Sequence, residues 1–175
     1  MKIKVLAVGK TDDKKLQELI DKYVKRLAHY VKFELEIIPD VKKAKNRSIP
    51  EQKSMEGEEI LKRVQQGDHL VLLDEKGREF RSVEFARLVQ KRMNSGLRRM
   101  VLVIGGPYGF SEEVYARATE KLSLSKMTFS HQMIRLFLVE QIYRAFTILR
   151  NEPYHHEWAH FLRNPRLEPR VAVDP

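Results

Sequence analysis

Residues 100–104, Met-Val-Leu-Val-Ile, form an apolar run with no polar residue on either face, and this run constrains the fold most. Such a run is typical of a parallel strand that is covered by helices on both sides. Further strand patterns occupy residues 3–8, 33–38 and 69–74, and segments with helical spacing of apolar residues separate them. Strands that alternate with helices in this way predict an α/β fold with a mainly parallel sheet flanked by helices.

The predicted helices have recognisable ends. The first begins after the aspartates at positions 12 and 13, and its apolar face continues to Val31. Residues 48–51, Ser-Ile-Pro-Glu, form a capping box for the second helix, which is expected to end near Gly67. Two further helices are predicted to begin at Ser82 and Ser111, and a long one to run from about His131 to Arg150.

The chain is strongly basic. It has 33 Lys and Arg against 24 Asp and Glu among 175 residues, so its net charge is +9. Residues 1–32 carry nine basic and four acidic side chains, and residues 67–100 carry eight and five. We expect the surfaces of these two regions to face a phosphate backbone, with contacts from Lys22, Lys25 and Arg26. The alternative is that these basic residues form an ordinary helix surface exposed to solvent, with no role in binding.

The composition excludes several kinds of protein. The chain has no cysteine, which excludes disulfide frameworks, thiolate nucleophiles and iron–sulfur clusters. Charged residues within positions 1–10 keep the opening apolar run too short for a signal-peptide core, and no stretch approaches the roughly 18 uncharged apolar residues of a membrane span. These features predict a soluble cytoplasmic protein without a membrane segment.

A glycine-rich loop, Gly-Gly-Pro-Tyr-Gly at residues 105–109, follows the apolar run and precedes a helix start. Ligands of open α/β sheets bind at the carboxyl ends of strands, where glycines let a ligand approach the backbone. The loop lacks the lysine of a phosphate loop and the spacing of a dinucleotide fingerprint, and Glu112 and Glu113 would repel a phosphate. It therefore indicates a ligand held by shape and backbone hydrogen bonds, with a tight turn that needs positive φ as the alternative.

Two later segments carry polar side chains at informative positions. In residues 122–131 hydroxyl residues alternate with apolar ones, which favours an ordinary half-buried strand over an extended loop or the wall of a pocket. Pro153 ends the long helix, and Tyr154, His155 and His156 follow it. These side chains can donate or accept hydrogen bonds, and the tyrosine can stack on a nucleobase. Two adjacent histidines without further ligands do not predict a metal site.

Five motifs occur in the order of one known family. They are residues 102–109, 122–129, 131–135, 140–145 and 153–157, and residues 5–10 and 72–74 match the same family. Through them, residues 1–157 resemble the ribosomal RNA large subunit methyltransferase H family of the SPOUT superfamily. Members of that family end near the last motif, so we expect a single domain over 1–157 and a C-terminal extension over 158–175. Ser130 also departs from the proline that the family has before the histidine that matches His131.

The resemblance implies an enzyme that transfers a methyl group from S-adenosylmethionine to N3 of a pseudouridine in 23S ribosomal RNA. It also implies that the enzyme acts on assembled ribosomes as a homodimer, and that its SPOUT-type fold contains a trefoil knot in the C-terminal half. The alternatives are methylation of another RNA nucleotide and a catalytically silent module that binds ribosomes.

Motif matching also implies roles for individual residues. Tyr154, His155 and His156 are expected to contact the target nucleotide, and one of the histidines or a neighbouring group to help remove its proton. Arg144 is a further catalytic candidate, with an intrahelical pair to Glu140 as the alternative. Cofactor contacts are expected from Leu73, Gly105, Gly106, Leu124, Ser125, Lys126, Met127, Thr128 and Phe129.

Overall fold

The computed structural model describes residues 1–40 and 48–155. Within these ranges five strands alternate with five helices. Their bounds are β1 Lys2–Val8, α1 Lys14–Leu27, β2 Lys32–Ile38, α2 Ile49–Leu61, β3 His69–Glu79, α3 Ser82–Asn94, β4 Arg99–Ile104, α4 Glu112–Arg117, β5 Glu120–Ser123 and α5 Met133–Leu149.

The strands form one parallel sheet in the order β2-β1-β4-β3-β5. The apolar run lies in the central strand β4, where both faces are buried. Successive residues of a strand point to opposite faces, so Leu102 packs in the core beneath α1, α3 and α5, and Val103 in the core beneath α2 and α4. The predicted α/β fold, a mainly parallel sheet flanked by helices, is confirmed.

Two helices begin where their capping signals predict. The Asp13 side chain accepts hydrogen bonds from the Lys15 and Leu16 N–H groups, at 2.8 and 3.1 Å, and caps α1. At α2 the Ser48 N–H donates to the Glu51 carboxylate at 2.9 Å, and the Glu51 N–H donates to the Ser48 hydroxyl at 3.4 Å. These two bonds are the predicted capping box.

Several predicted ends are wrong. α1 ends before Val31, because the His29 N–H bonds to the Arg26 carbonyl, three residues back, and tightens the chain into a turn. α2 ends at Leu61 rather than near Gly67, because the Arg63 and Val64 N–H groups bond to carbonyls three residues back and tighten the chain into a turn. The long helix α5 begins two residues later than expected, after a loop that lines the site described below.

β3 is longer and β5 shorter than the sequence predicts. β3 continues to Glu79, and its pairing with β5 shifts register between Leu73 and Arg78, which marks a β-bulge. β5 ends at Ser123, so the strand predicted to continue to Phe129 is wrong beyond this point. The chain runs instead as a loop from 124 to 132, the alternative to a strand.

The trefoil knot and the domain limits at 157 and 158 stay predictions. Residues 156–175 lie outside the described residues, as do residues 41–47. Across residues 1–40 and 48–155, no helix is both long enough and apolar enough to cross a membrane.

Candidate functional site

A cavity of about 400 Å³ lies at the carboxyl ends of β4 and β5 and beside residues 73–75 of β3, at the edge where open α/β sheets bind ligands. The loop after β4 and the loop after β5 form its walls, and we call it the glycine-loop cavity. The nine residues that the motifs assign to the cofactor all line it: Leu73, Gly105, Gly106, Leu124, Ser125, Lys126, Met127, Thr128 and Phe129. Segments that are far apart in sequence therefore meet in one place.

The glycine loop is both a tight turn and an open wall. Gly109 has a φ of 79°, and its N–H donates to the Gly106 carbonyl at 3.2 Å. A Cβ atom on Gly106 would lie 2.5 Å from the carboxylate of Glu56, so a side chain there would displace that carboxylate. The turn that needs positive φ is therefore present at Gly109, and backbone hydrogen bonds from this loop to a ligand stay a prediction.

Serine hydroxyls shape the loop after β5. The Ser123 hydroxyl donates to the Ser125 carbonyl at 2.8 Å, and the Met127 N–H donates to the Ser125 hydroxyl at 2.9 Å. The Ser130 hydroxyl accepts the Met133 N–H at 3.2 Å and holds the first turn of α5. The alternation of serines with apolar residues resembles a strand, but these hydroxyls bond to nearby backbone, which favours a loop.

The cavity carries charges of both signs. Asp74 and Glu75 line it, and so do Lys126 and His131. The Tyr115 hydroxyl donates to the Asp74 carboxylate at 2.6 Å, and burial together with this bond raises the pKa of Tyr115 to about 12. Tyr115 is therefore a neutral donor at neutral pH, and it holds Asp74 in place. A ligand that carries both positive and negative groups fits such a wall.

Gly77 supports the cavity, although the sequence analysis did not single it out. It lies at the bulge of β3, and a Cβ atom there would be 2.4 Å from the carbonyl carbon of Leu122 and 2.7 Å from the nitrogen of Ser123. Only glycine lets the two strands come this close. The available signal was a lone glycine after a strand pattern, which often marks a bulge.

Arg135 is a second supporting residue that the sequence analysis missed. Its side chain is fully buried, and it donates to the Val8 carbonyl at 2.7 Å and to the Thr11 hydroxyl at 2.8 Å. Burial lowers the pKa of Arg135, and the nearby Asp40 carboxylate opposes this. Arg135 thus joins the loop after β1 to the first turn of α5. The available signal was an arginine in helical register with the apolar face of α5.

A second group of side chains surrounds Tyr154, where the chain leaves α5. The Tyr154 and Tyr23 hydroxyls are 3.1 Å apart, and the Tyr154 hydroxyl donates to the Glu140 carboxylate at 3.0 Å. Arg144 donates to the same carboxylate oxygen through Nη2 at 2.6 Å and Nε at 3.0 Å. The predicted intrahelical pair is therefore present. We call this group, with Tyr143 and His155, the Tyr154 cluster.

The rings and the imidazole complete the Tyr154 cluster. The Arg144 guanidinium lies 4.8 Å from the Tyr154 ring centroid, and the Tyr143 and Tyr154 rings are 4.9 Å apart. His155 Nδ1 is 3.4 Å from Arg144 Nη1. The structure thus brings together three of the four catalytic candidates; the fourth, His156, lies outside the described residues.

The basic face of α1 adjoins the Tyr154 cluster. Lys22 and Lys25 are exposed, whereas the Arg26 guanidinium lies 5.6 Å from the ring centroids of Tyr23 and Tyr143. Two of the three predicted cations on α1 are therefore open to a polyanion, and the third is partly engaged by aromatic rings.

The second basic region, residues 67–100, has fewer open cations than its count predicts. Arg92 pairs with Glu120, and Arg99 pairs with Asp68. His69 also contacts Glu120, at 2.8 Å, and burial, with the charge of Arg92, lowers the pKa of this histidine. These contacts give His69 a structural role between β3 and β5.

The glycine-loop cavity and the Tyr154 cluster lie at different ends of α5. Ile134 lines the cavity, whereas Arg144 belongs to the cluster. Ten residues of helix separate them, or about 15 Å along the axis. Within the described ranges, no three His, Asp or Glu side chains come together as metal ligands.

Known proteins match nearly the whole described chain. The family profile described as "Predicted SPOUT methyltransferase" matches residues 1–155. A protein named "Ribosomal RNA large subunit methyltransferase H" from Christiangramia forsetii is 65% identical over 156 residues, which cover 89% of this chain and 99% of that protein. A protein of the same name from Flavobacterium johnsoniae is 62% identical over 157 residues, which cover 90% of this chain and 100% of that protein.

A solved structure shares the fold. The crystal structure of a tRNA (m1G37) methyltransferase from Aquifex aeolicus superposes with a TM-score of 0.54 at 14% identity, covering 90% of this chain and 75% of that chain. At this identity the likeness concerns the fold alone. Because the profile and the close relatives match about nine-tenths of its length, the chain belongs to the ribosomal RNA large subunit methyltransferase H family of SPOUT methyltransferases.

Proposed function

We propose that this protein transfers a methyl group from S-adenosylmethionine to N3 of a pseudouridine in 23S ribosomal RNA of the assembled ribosome. The glycine-loop cavity carries this proposal. It gathers the nine residues of the family's cofactor motifs at the sheet edge that binds ligands. Membership in a family of ribosomal RNA methyltransferases supports the substrate class.

The cavity residues fit S-adenosylmethionine, which has a cationic sulfur, an amino-acid group and an adenine ring. Asp74 and Glu75 suit its positive charges, and Lys126 suits its carboxylate. The glycine loop suits a ligand without phosphates, because no lysine follows it and Glu112 and Glu113 do. When bound, the cofactor supplies a methyl carbon on a cationic sulfur.

The remaining chemistry is the placement and deprotonation of the target nucleotide. N3 loses a proton, the N3–carbon bond forms as the sulfur–carbon bond breaks, and the sulfonium becomes a neutral thioether. This displacement requires the nitrogen and the methyl carbon to be in line, so positioning accounts for much of the rate. In the proposal Arg144 and His155 offer N–H groups to the nucleotide, and Tyr154 offers an aromatic face.

We further propose that the active unit is a homodimer, in which the Tyr154 cluster of one subunit faces the glycine-loop cavity of its partner. The separation of about 15 Å along α5 supports this, because one subunit alone keeps the two groups apart. Phe129, Met133 and Phe137 are also exposed between them, at 37 to 38%, an apolar patch that suits a subunit interface. Sedimentation equilibrium tests the proposal, and an active monomer would contradict it.

Methyl transfer from labelled S-adenosylmethionine to ribosomes, followed by mapping of the modified nucleotide, tests the function. We expect label at N3 of one pseudouridine of 23S ribosomal RNA. Label on another nucleotide would favour a different RNA target. Cofactor binding by calorimetry without any transfer would favour a silent module that keeps the fold.

Reversing the exposed charges of α1 with Lys22→Glu and Lys25→Glu is expected to weaken ribosome binding and leave cofactor affinity unchanged. Each lost phosphate contact should lower the slope of log affinity against log salt by about 1. Arg26→Glu should weaken binding further, but its guanidinium also contacts the cluster rings. Filter binding at several salt concentrations measures these effects.

Lys62→Glu, at the end of α2 on the opposite face, is the matched control. It reverses a charge that is also exposed, at 63%, and paired with Glu59, and it should not change ribosome binding. Equal weakening by the control, or binding that is insensitive to salt, would contradict the assignment of the α1 face.

A further inference from the structure

Glu140 sets the directions of the hydrogen bonds in the Tyr154 cluster. A carboxylate can only accept and a guanidinium can only donate, so the bonds from Arg144 Nη2 and Nε to Glu140 Oε1 each have one possible direction. The same oxygen lies 3.0 Å from the Tyr154 hydroxyl and accepts a hydrogen bond from it. Glu140 is mostly buried, with a side-chain exposure of 14%, so these bonds form in a partly desolvated place.

The Tyr154 hydroxyl cannot serve as the base in this arrangement. Its only proton is engaged in the hydrogen bond to Glu140. Burial raises the pKa of Tyr154 above its usual range, and the Tyr23 hydroxyl and the Glu140 charge raise it further. The phenol therefore stays protonated, and its ring and position remain available to the nucleotide.

The contact between Arg144 and His155 selects one tautomer of the imidazole. Arg144 Nη1 has only protons to offer, so His155 Nδ1, at 3.4 Å, must accept with its lone pair. A neutral imidazole then carries its proton on Nε2. Among the described residues, this Nε2 is buried and has no hydrogen-bond partner. A buried donor without a partner is a costly group in a folded protein, and a ligand acceptor would satisfy it.

We propose that His155 presents its Nε2–H as a hydrogen-bond donor to the target base, and that Glu140 is a positioning residue that maintains this arrangement through Arg144. This inference rests on the proposed function. The N3 proton leaves to solvent hydroxide, which becomes water, and the negative charge of the imide spreads over the carbonyl oxygens on either side of N3. The Nε2–H donates to one of these oxygens and stabilises the charge as N3 attacks the methyl carbon.

A pair of amide variants separates a donor from a base. The amide nitrogen of His155→Gln reaches the position of Nε2 and can donate but cannot accept a proton, whereas the shorter His155→Asn does not reach it. We expect turnover within about threefold of the parent for His155→Gln and about 30-fold lower for His155→Asn, the value of a hydrogen bond to a charged group. A histidine base would make both variants slower by about 10²-fold or more. Equal losses in the two variants, or no loss in either, would overturn the proposal.

Nitrogen-15 NMR of the full chain, labelled at histidine and measured at pH 8, reads the tautomer without reference to activity. The ring signals of His155 are assigned as those that are missing from the spectrum of His155→Gln. We expect these signals to show that the proton lies on Nε2. In Glu140→Gln, Arg144 is no longer held by a carboxylate, so both tautomers should be populated, and turnover should fall with little change in cofactor affinity. A proton on Nδ1 in the parent protein would overturn the inference, even if the protein methylates RNA. If the parent transfers no methyl group but shows the Nε2–H tautomer, the proposed function fails instead.

Discussion

Gly77→Ala is expected to weaken binding of S-adenosylmethionine by at least about 10²-fold and to lower the free energy of unfolding by about 2 kcal/mol. The new Cβ would lie 2.4 Å from the carbonyl carbon of Leu122, a backbone atom that cannot rotate away. β5 must therefore move off β3, and the cavity wall that begins at Leu122 moves with it. A displacement of about 1 Å in a binding site can cost about 10²-fold, and overpacking costs about 1 to 3 kcal/mol. Calorimetry and urea unfolding measure the two effects.

Gly67→Ala is the control for this change. It adds the same methyl group after α2, where no atom lies within 4 Å of the new Cβ. Affinity and stability should stay at the parent values. If Gly77→Ala bound the cofactor as tightly as Gly67→Ala, the contact between the bulge and β5 would not support the cavity.

Arg135→Ala is expected to lower the free energy of unfolding by about 3 to 4 kcal/mol, a loss of about 10² to 10³ in the folding equilibrium. The change leaves the Val8 carbonyl and the Thr11 hydroxyl without their donor, and it empties a fully buried volume. Each of these costs free energy, the first about 1 to 3 kcal/mol and the second about as much as a large-to-small core substitution. Urea unfolding measures the loss. Cofactor binding should weaken too, because the cavity loop leads directly into this turn of α5.

Arg87→Ala, on the exposed face of α3, is the matched control and should change stability by no more than about 0.5 kcal/mol. If Arg135→Ala were equally mild, the loop after β1 would be held to α5 by the contacts of Asp12 with Gln132 instead, which are 3.1 and 3.2 Å long.

The sheet could be predicted because its signals are local. Residues 3–8 and 100–104 form strands that are buried on both faces, so their apolar side chains mark them directly. The register shift at Gly77 could not be predicted in the same way, because it depends on pairing with a strand much later in the chain. The shift determines how β3 meets the cavity.

The loop after β5 shows where a periodic pattern misleads. Leu122, Ser123, Leu124 and Ser125 alternate as a strand would, yet the two serine hydroxyls bond to the loop itself. Such bonds compete with sheet pairing. Whether the backbone pairs in the sheet or bonds to these hydroxyls depends on geometry that the sequence does not show. The motifs identified the residues of this wall, but the pattern gave them the wrong secondary structure.

The Tyr154 cluster could be predicted only in part. Tyr154, His155 and Arg144 stand in recognisable motifs near the end of the described chain, and a spacing of four predicts the pair with Glu140. Tyr23 was not predictable from spacing, because it reaches Tyr154 from α1, at the other end of the sequence. Packing of α1 against α5 brings them together.

α5 is a helix of 17 residues with the cavity at its first turn and the Tyr154 cluster near its last. One inserted residue between 134 and 144 would lengthen this span by about 1.5 Å and rotate everything after it by about 100°. The Tyr154 segment would then turn away from Tyr23 of α1, and an insertion after Glu140 would also turn Tyr154 away from Glu140. The length of this helix is therefore fixed by the two groups at its ends, and insertions or deletions in the gene between residues 134 and 144 should be poorly tolerated.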